Sequence, residues 1–269
     1  DSKWPTAGPQ GFQVANSVRL DGTSAYLNRT PSSAGNQKKF TFSTWIKRST
    51  FTDAHQDIIT ADAGNLETYI FFKSNTDNLN IYSTDADGNV EVTLITTQVF
   101  RDTSAWYHIV VAVDSTQGTA SNRFKVYVNG TQVTSFSTAT YPAVNSVFAI
   151  TDDAAHMIGR RVAGGKFLNG YLAETVLIDG TQNAPTDFGE VNSQTGIWVP
   201  KDVSGLTFGT TGFYLNYSNS GALGEDFSGE DNDFTVNNLT SLDQSTDTCS
   251  TNFATANSIG AQRIGGGSI

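Results

Sequence analysis

The chain has 269 residues, with 16 Lys and Arg against 26 Asp and Glu and a formal net charge of −10, so it lacks the clustered positive charge that a nucleic-acid backbone requires. A single cysteine, Cys249, excludes an internal disulfide and any multi-cysteine zinc site. Charged residues are only 16%, so Ser, Thr, Asn and Gly build much of the polar surface, and no apolar run nears the roughly 18 residues that span a membrane.

Residues 1–13 contain Pro5, Gly8, Pro9 and Gly11 and read as an irregular lead-in. The chain opens on Asp1 and its one methionine is Met157, which points to a processed N-terminus or a segment of a longer protein. Residues 18–20 and 25–27 are short alternating runs joined by Asp21-Gly22, a hairpin signal. Phe40, Phe42, Thr44 and Ile46 then alternate with Thr41, Ser43, Trp45 and Lys47, which predicts a strand with a large aromatic on each face. Residues 58–60, 69–72, 79–83 and 90–96 continue the series between loops dense in turn formers.

Residues 109–113 are a continuous apolar run too short for a helix, and they predict a central strand buried on both faces. After a polar loop over 115–123, Phe124, Val126 and Val128 alternate with Lys125 and Tyr127 up to Asn129-Gly130. Asn and Gly tolerate the two positive φ angles of a type I′ turn, so a β-hairpin is expected here. Residues 147–150 and 157–160 are further strand candidates, and 170–178 closes the set. Many short strands with little helix imply an all-β fold of two packed antiparallel sheets. The expected organisation is a lead-in over 1–13, a sandwich over 14–181, and an extended C-terminal arm over 182–269.

Six stretches in order carry a family resemblance: Val18-Arg-Leu-Asp-Gly-Thr-Ser-Ala-Tyr-Leu27, Phe40-Thr-Phe-Ser-Thr-Trp-Ile-Lys47, Trp106-Tyr-His-Ile-Val-Val-Ala-Val-Asp114, Val126-Tyr-Val-Asn-Gly130, Ile158-Gly159 and Phe167-Leu-Asn-Gly-Tyr-Leu-Ala-Glu174. Together they resemble the laminin-G-like domains of the concanavalin A-like superfamily, which implies a jelly-roll sandwich. The wording of residues 25–31 and 45–48 also resembles modules of tailed-phage structural proteins from marine and cyanobacterial hosts. In the arm, Ile197-Trp-Val199 is an isolated apolar cluster, and residues 213–236 resemble the opening strands of a second, incomplete module. Two strands alone cannot fold, so the arm must lie on the sandwich, pair with another chain, or continue beyond Ile269. The Ile264-Gly-Gly-Gly-Ser-Ile269 end is expected to be extended.

The resemblance implies a structural calcium with Asp21, the Gly22 carbonyl and Glu174 as ligands; the alternative reading makes Asp21-Gly22 a turn and Glu174 a solvated strand residue. Hard cations take several oxygen ligands, and Asp226, Asp231 and Asp233 form a second acidic set. Sugar binding uses aromatic platforms with polar partners; Tyr69, Phe71, Tyr82, Trp106 and Tyr107 lie in the region that could supply one, with Tyr69, Tyr82 and Tyr107 as the candidates, or they fill the interior. Some relatives are glycosidases with a Glu-x-Asp-x-x-Glu string on one strand, and no such string occurs. His108 is expected to be a packed core histidine, and His55 and His156 loop residues.

The expected function is therefore a non-enzymatic virion structural protein, a tail-fibre, capsid-fibre or decoration component on the particle surface. Its partners would be other virion subunits, including copies of itself, and cell-surface or environmental polysaccharide. A secreted bacterial adhesin or carbohydrate-binding module is the alternative, and a glycoside hydrolase the third.

Overall fold

The alternation of residues 40–47 is realised in β3 (Lys39–Arg48), where Phe40, Phe42 and Ile46 enter the main core and Trp45 lies on the opposite face. A computed structural model describes residues 11–251 of the chain; the readings for residues 1–10 and 264–269 fall outside the described residues. On one side β3 pairs with β8 (Tyr107–Asp114), followed by β9 (Phe124–Val128) and β10 (Thr131–Gln132). On the other side it pairs with β13 (Asn169–Asp179). The first half of the next β13 edge takes β1 (Ser17–Asp21), itself bordered by β18 (Gln244–Ser245), and the second half takes β16 (Phe213–Leu215).

The second sheet runs β11 (Phe136–Thr140), β7 (Val90–Val99), β6 (Asn78–Thr84), β5 (Leu66–Phe72), β4 (Gln56–Ala63), β12 (Ala155–Ile158), β2 (Tyr26–Arg29) and β17 (Thr235–Asn237). All pairings are antiparallel, as the jelly-roll expectation requires. A separate hairpin joins β14 (Gly189–Val191) to β15 (Trp198–Pro200).

Strand β8 is covered on both faces, as its uninterrupted apolar run predicts. Ile109, Val111 and Val113 enter the main core, while Val110 packs outside with Val176, Ile178, Phe188, Val203, Phe208 and Tyr214. The β9–β10 turn has φ +48° at Asn129 and +77° at Gly130, as a type I′ turn demands.

Three local readings need correction. Asp21-Gly22 does not close a hairpin: β1 and β2 belong to different sheets, and the chain crosses between them. The Asp21 carboxylate holds the crossing by accepting the amides of Thr23, Ser24 and Ala25. Residues 149–151 form a 3-10 turn rather than a strand, and His156 sits in β12 with both ring nitrogens bonded, to the Ala154 and Ile150 carbonyls.

From residue 182 the chain crosses the outer face of the first sheet and then adds β16 and β17 to the two sheets. Phe213, Leu215, Tyr217, Leu223, Phe234 and Leu239 all enter the main core. Arg29 fastens this segment to β2 through the Thr211 carbonyl and the Asn232 side chain.

Candidate functional site

Trp45 of β3 and His108 of β8 are cross-strand neighbours on the outer face of the first sheet. Their rings stack at 4.7 Å with 20° between planes, and the indole of Trp198 stacks on His108 at 6.0 Å and 24°. Trp198 Nε1 donates to His108 Nδ1 at 3.0 Å. Two glycines admit the indole: a Cβ at Gly130 would lie 2.5 Å from its ring and one at Gly189 2.6 Å. The Asn-Gly turn therefore serves packing as well as chain reversal.

Beside this stack opens a cavity of about 430 Å³ lined by Phe12, Trp45, Trp106, Asn129, Ile197 and Trp198 among others. Trp106 is anchored at its edge, donating Nε1 to Asp247 Oδ1 at 3.2 Å, and the Lys47 ammonium, ion-paired with Asp247, lies 5.7 Å above its ring. Ile197, 59% exposed, marks the rim. Asn129 is oriented by the His108 amide, which donates to its Oδ1 at 2.8 Å.

Ser43 and His108 are also brought together, Oγ to Nε2 at 2.8 Å, with Glu174 beside the same small void. The geometry superficially resembles a nucleophile and base, but the proton is on the wrong nitrogen. An indole N–H only donates, so Nδ1 must accept, and the neutral ring carries its proton on Nε2 facing Ser43. Burial lowers the His108 pKa to about 3. Ser43 and His108 are both buried, so neither a base nor an accessible nucleophile is formed. Burial raises Glu174 to about 7 although the Tyr214 hydroxyl donates to its Oε2 at 2.5 Å.

Of the aromatic residues proposed from sequence, Tyr69 and Tyr82 are paired in register on the second sheet and stack at 6.0 Å. The Arg161 guanidinium lies 4.4 Å over the Tyr69 ring, and only 3% of the residue is exposed. Tyr107 is in the other sheet, packed edge-on against Phe100 and the main core. The three do not form one platform.

The calcium positions are likewise apart. Asp21 stands opposite Asn169, whereas Glu174 lies five residues further along β13, at a bulge with φ +48°. Burial disfavours the Asp21 charge, yet the amides of Ser24, Ala25 and Thr23 hold its pKa far below the ordinary carboxylate range. Its second oxygen accepts the Thr23 and Ser24 hydroxyls, so these donors fill the positions a cation would take. Asp226 is spent similarly on Tyr214, Ser228 and Asn232. Among the described residues no group of three or more His, Cys, Asp or Glu is placed to hold a metal ion. These residues do not fit a shared calcium. Among the same residues no helix is long and apolar enough to cross a membrane.

Sequence reasoning placed Trp106 in a region that could hold sugar but missed Trp45, Trp198 and Asn129 beside it. The available signal was Ile197-Trp-Val199: an apolar cluster in a turn-rich polar stretch must cover something.

Residues 21–185 match the laminin-G-type family model described as "Concanavalin A-like lectin/glucanases superfamily". Among solved structures, a putative carbohydrate binding protein from Bacteroides ovatus superposes with a TM-score of 0.56 at 15% identity, over 85% of this chain and 61% of that one. A heptameric SAP-like pentraxin from Limulus polyphemus gives 0.46 at 15% identity, over 64% and 80%. Domains LG4-5 of the mouse laminin alpha1 chain give 0.44 at 10%, over 65% and 44%. No curated protein matches this chain. Of the cleft residues, Trp45, Trp106 and Asn129 lie within the residues matched to the family, and Phe12, Ile197 and Trp198 lie outside them.

Proposed function

Because the chain belongs to the concanavalin A-like lectin/glucanase superfamily, we propose that it is a non-enzymatic carbohydrate-binding module whose ligand enters the cleft between Trp106 and Trp198. The observation that carries this reading is the cleft itself: Trp45 and Trp106, both largely buried, and the more open Trp198 line one concave site, and aromatic groups lining a concave site with a few fixed polar groups are how proteins hold the apolar face of a sugar ring. The lectin-like fold supports the same reading. Neither the paired carboxylates that glycoside hydrolysis needs nor a usable Ser–His dyad belongs to the described lining. A glycan array probed with the whole chain and with Trp106→Ala tests it; binding that is indifferent to the substitution removes the cleft from the account.

The module is carried, in this proposal, by a virion structural protein, a tail-fibre, capsid-fibre or decoration component present in many copies. Support comes from the phage-like wording of residues 25–31 and 45–48 and from the low-charge polar composition. Peptide mass spectrometry of purified particles tests this. Detection only in a bacterial culture supernatant free of particles favours the secreted adhesin instead.

A further inference from the structure

The cleft is unusual for an acidic protein in what lines it. Among the described residues that line it none is an Asp, Glu, Lys or Arg. Among the described lining residues the ionisable group is Cys249, whose thiol burial holds neutral by raising its pKa well above the ordinary value. Lys47 and Asp247, which hold the edge and face of Trp106, are ion-paired with each other. A carboxylate or sulfate entering this aromatic site would lose hydration with no counter-charge among the described lining residues to replace it, and the net charge of −10 opposes its approach.

Asn129 supplies one fixed polar group, and the indole N–H of Trp45, buried without a hydrogen-bond partner among the described residues on a residue that also lines the cleft, is a second donor. The Oδ1 atom of Asn129 is held by the His108 amide, which fixes the orientation of the side-chain amide of this cleft-lining residue. A cavity of 430 Å³ is at the small end of the roughly 300–1,000 Å³ range of small-molecule pockets, room for about one or two sugar rings.

Resting on the carbohydrate-binding reading of this cleft, we infer that its ligand is an uncharged sugar unit, one or two rings long, and that Asn129 is a specificity-determining residue that donates to a ligand hydroxyl oxygen. Uronate and sulfated sugars are excluded.

Calorimetric titration of the full chain tests this, using neutral gluco-, galacto- and manno-oligosaccharides against oligomers of a uronate polysaccharide and of a sulfated galactan. The expected result is binding confined to a neutral sugar. Asn129→Asp keeps the shape, the tolerance of positive φ and the His108 bond, but replaces the donor with a carboxylate. It should weaken that binding about tenfold or more with the melting temperature unchanged. Ala105→Phe, which fills the cleft without removing a packed side chain, should abolish it. If Ala105→Phe abolishes binding but acidic oligomers bind as well as neutral ones, or Asn129→Asp binds normally, the inference about ligand class is overturned while the cleft stands. If Ala105→Phe leaves binding intact, or no sugar of the panel binds, the reading of the cleft falls and this inference with it.

Discussion

Trp198 reaches from the arm to His108 of the central strand, and its indole N–H donates to the one ring nitrogen of His108 that has no proton. That single bond fixes the histidine tautomer, disables the neighbouring Ser43 as a nucleophile and seats one wall of the cleft. Trp198→Phe keeps most of the ring but removes the donor, leaving a buried Nδ1 unpaired. The cost is about 1–3 kcal/mol, which at roughly 2–4 °C per kcal/mol for a domain of this size lowers the melting temperature by several degrees. Differential scanning calorimetry checks it, and an unchanged melting temperature would mean that the bond is not made.

The pH dependence of stability separates two buried groups. Glu174 is raised from 4.5 to about 7, so between these values the folded protein keeps a proton that the unfolded chain has released. Its contribution is fully present below pH 4.5 and is lost as pH rises through 7. His108 is lowered from 6.5 to about 3, so its contribution is present above pH 6.5 and is lost as pH falls. The two oppose each other between 4.5 and 6.5. Glu174→Gln keeps an acceptor for Tyr214 and removes only the first effect, so its stability should rise across that window with a slope up to about 1.4 kcal/mol per pH unit steeper than that of the native protein. Urea midpoints at stepped pH measure it; parallel profiles for the two proteins would show that Glu174 does not keep its proton.

Local features of the fold were readable because short-range physics decides them. The β9 alternation and the Asn129-Gly130 turn follow from period and φ preference, and the Ile109–Val113 run implied its two covered faces. The crossing at Asp21-Gly22 was misread because the same residues serve a hairpin and a sheet-to-sheet corner, and what distinguishes them is the partner strands. The cleft was invisible for a related reason. Trp45 and Trp198 each look like ordinary packing residues locally, and only the return of the chain after residue 182 stacks Trp198 on the His108–Trp45 pair. Tyr69 satisfied the chemistry of a sugar platform, but Arg161, which is distant in sequence, occupies its face.

Arg48 is 1% exposed, and its guanidinium lies between the rings of Phe51 and Phe72 at 4.8 and 4.6 Å. It donates to Asp77 at 3.0 Å, Gln56 at 3.2 Å and the Phe100 carbonyl at 2.9 Å, joining the end of β3 to loops of the second sheet. Arg48→Ala leaves the Gln56 side-chain oxygen and the Phe100 carbonyl without this donor and Asp77 with Arg101 alone, and should cost about 1–3 kcal/mol. Arg48→Lys, which cannot form the planar fork, should recover only part of that. Chemical denaturation of the three proteins decides it, and equal stability of the lysine variant and the native protein would show that the fork geometry is irrelevant.

The arm is part of the fold rather than an attachment to it, and truncation makes the distinction measurable. Ending the chain after Thr181 removes Phe213, Leu215, Tyr217, Leu223, Phe234 and Leu239 from the main core and uncovers Val110, Val176 and Ile178. Losing one such side chain from a core costs about 2–5 kcal/mol, and a domain is stable by only about 5–15 kcal/mol in all, so the loss of several exceeds what the sandwich can withstand. The truncated chain should show no cooperative melt and should bind a hydrophobic dye. Leu215→Ala and Phe234→Ala in the full chain should each retain a cooperative melt at lower temperature. A truncated chain that melts near the native temperature would show that residues 14–181 are self-sufficient, and the aromatic cleft would then have to be regarded as built on a strap that the sandwich does not need.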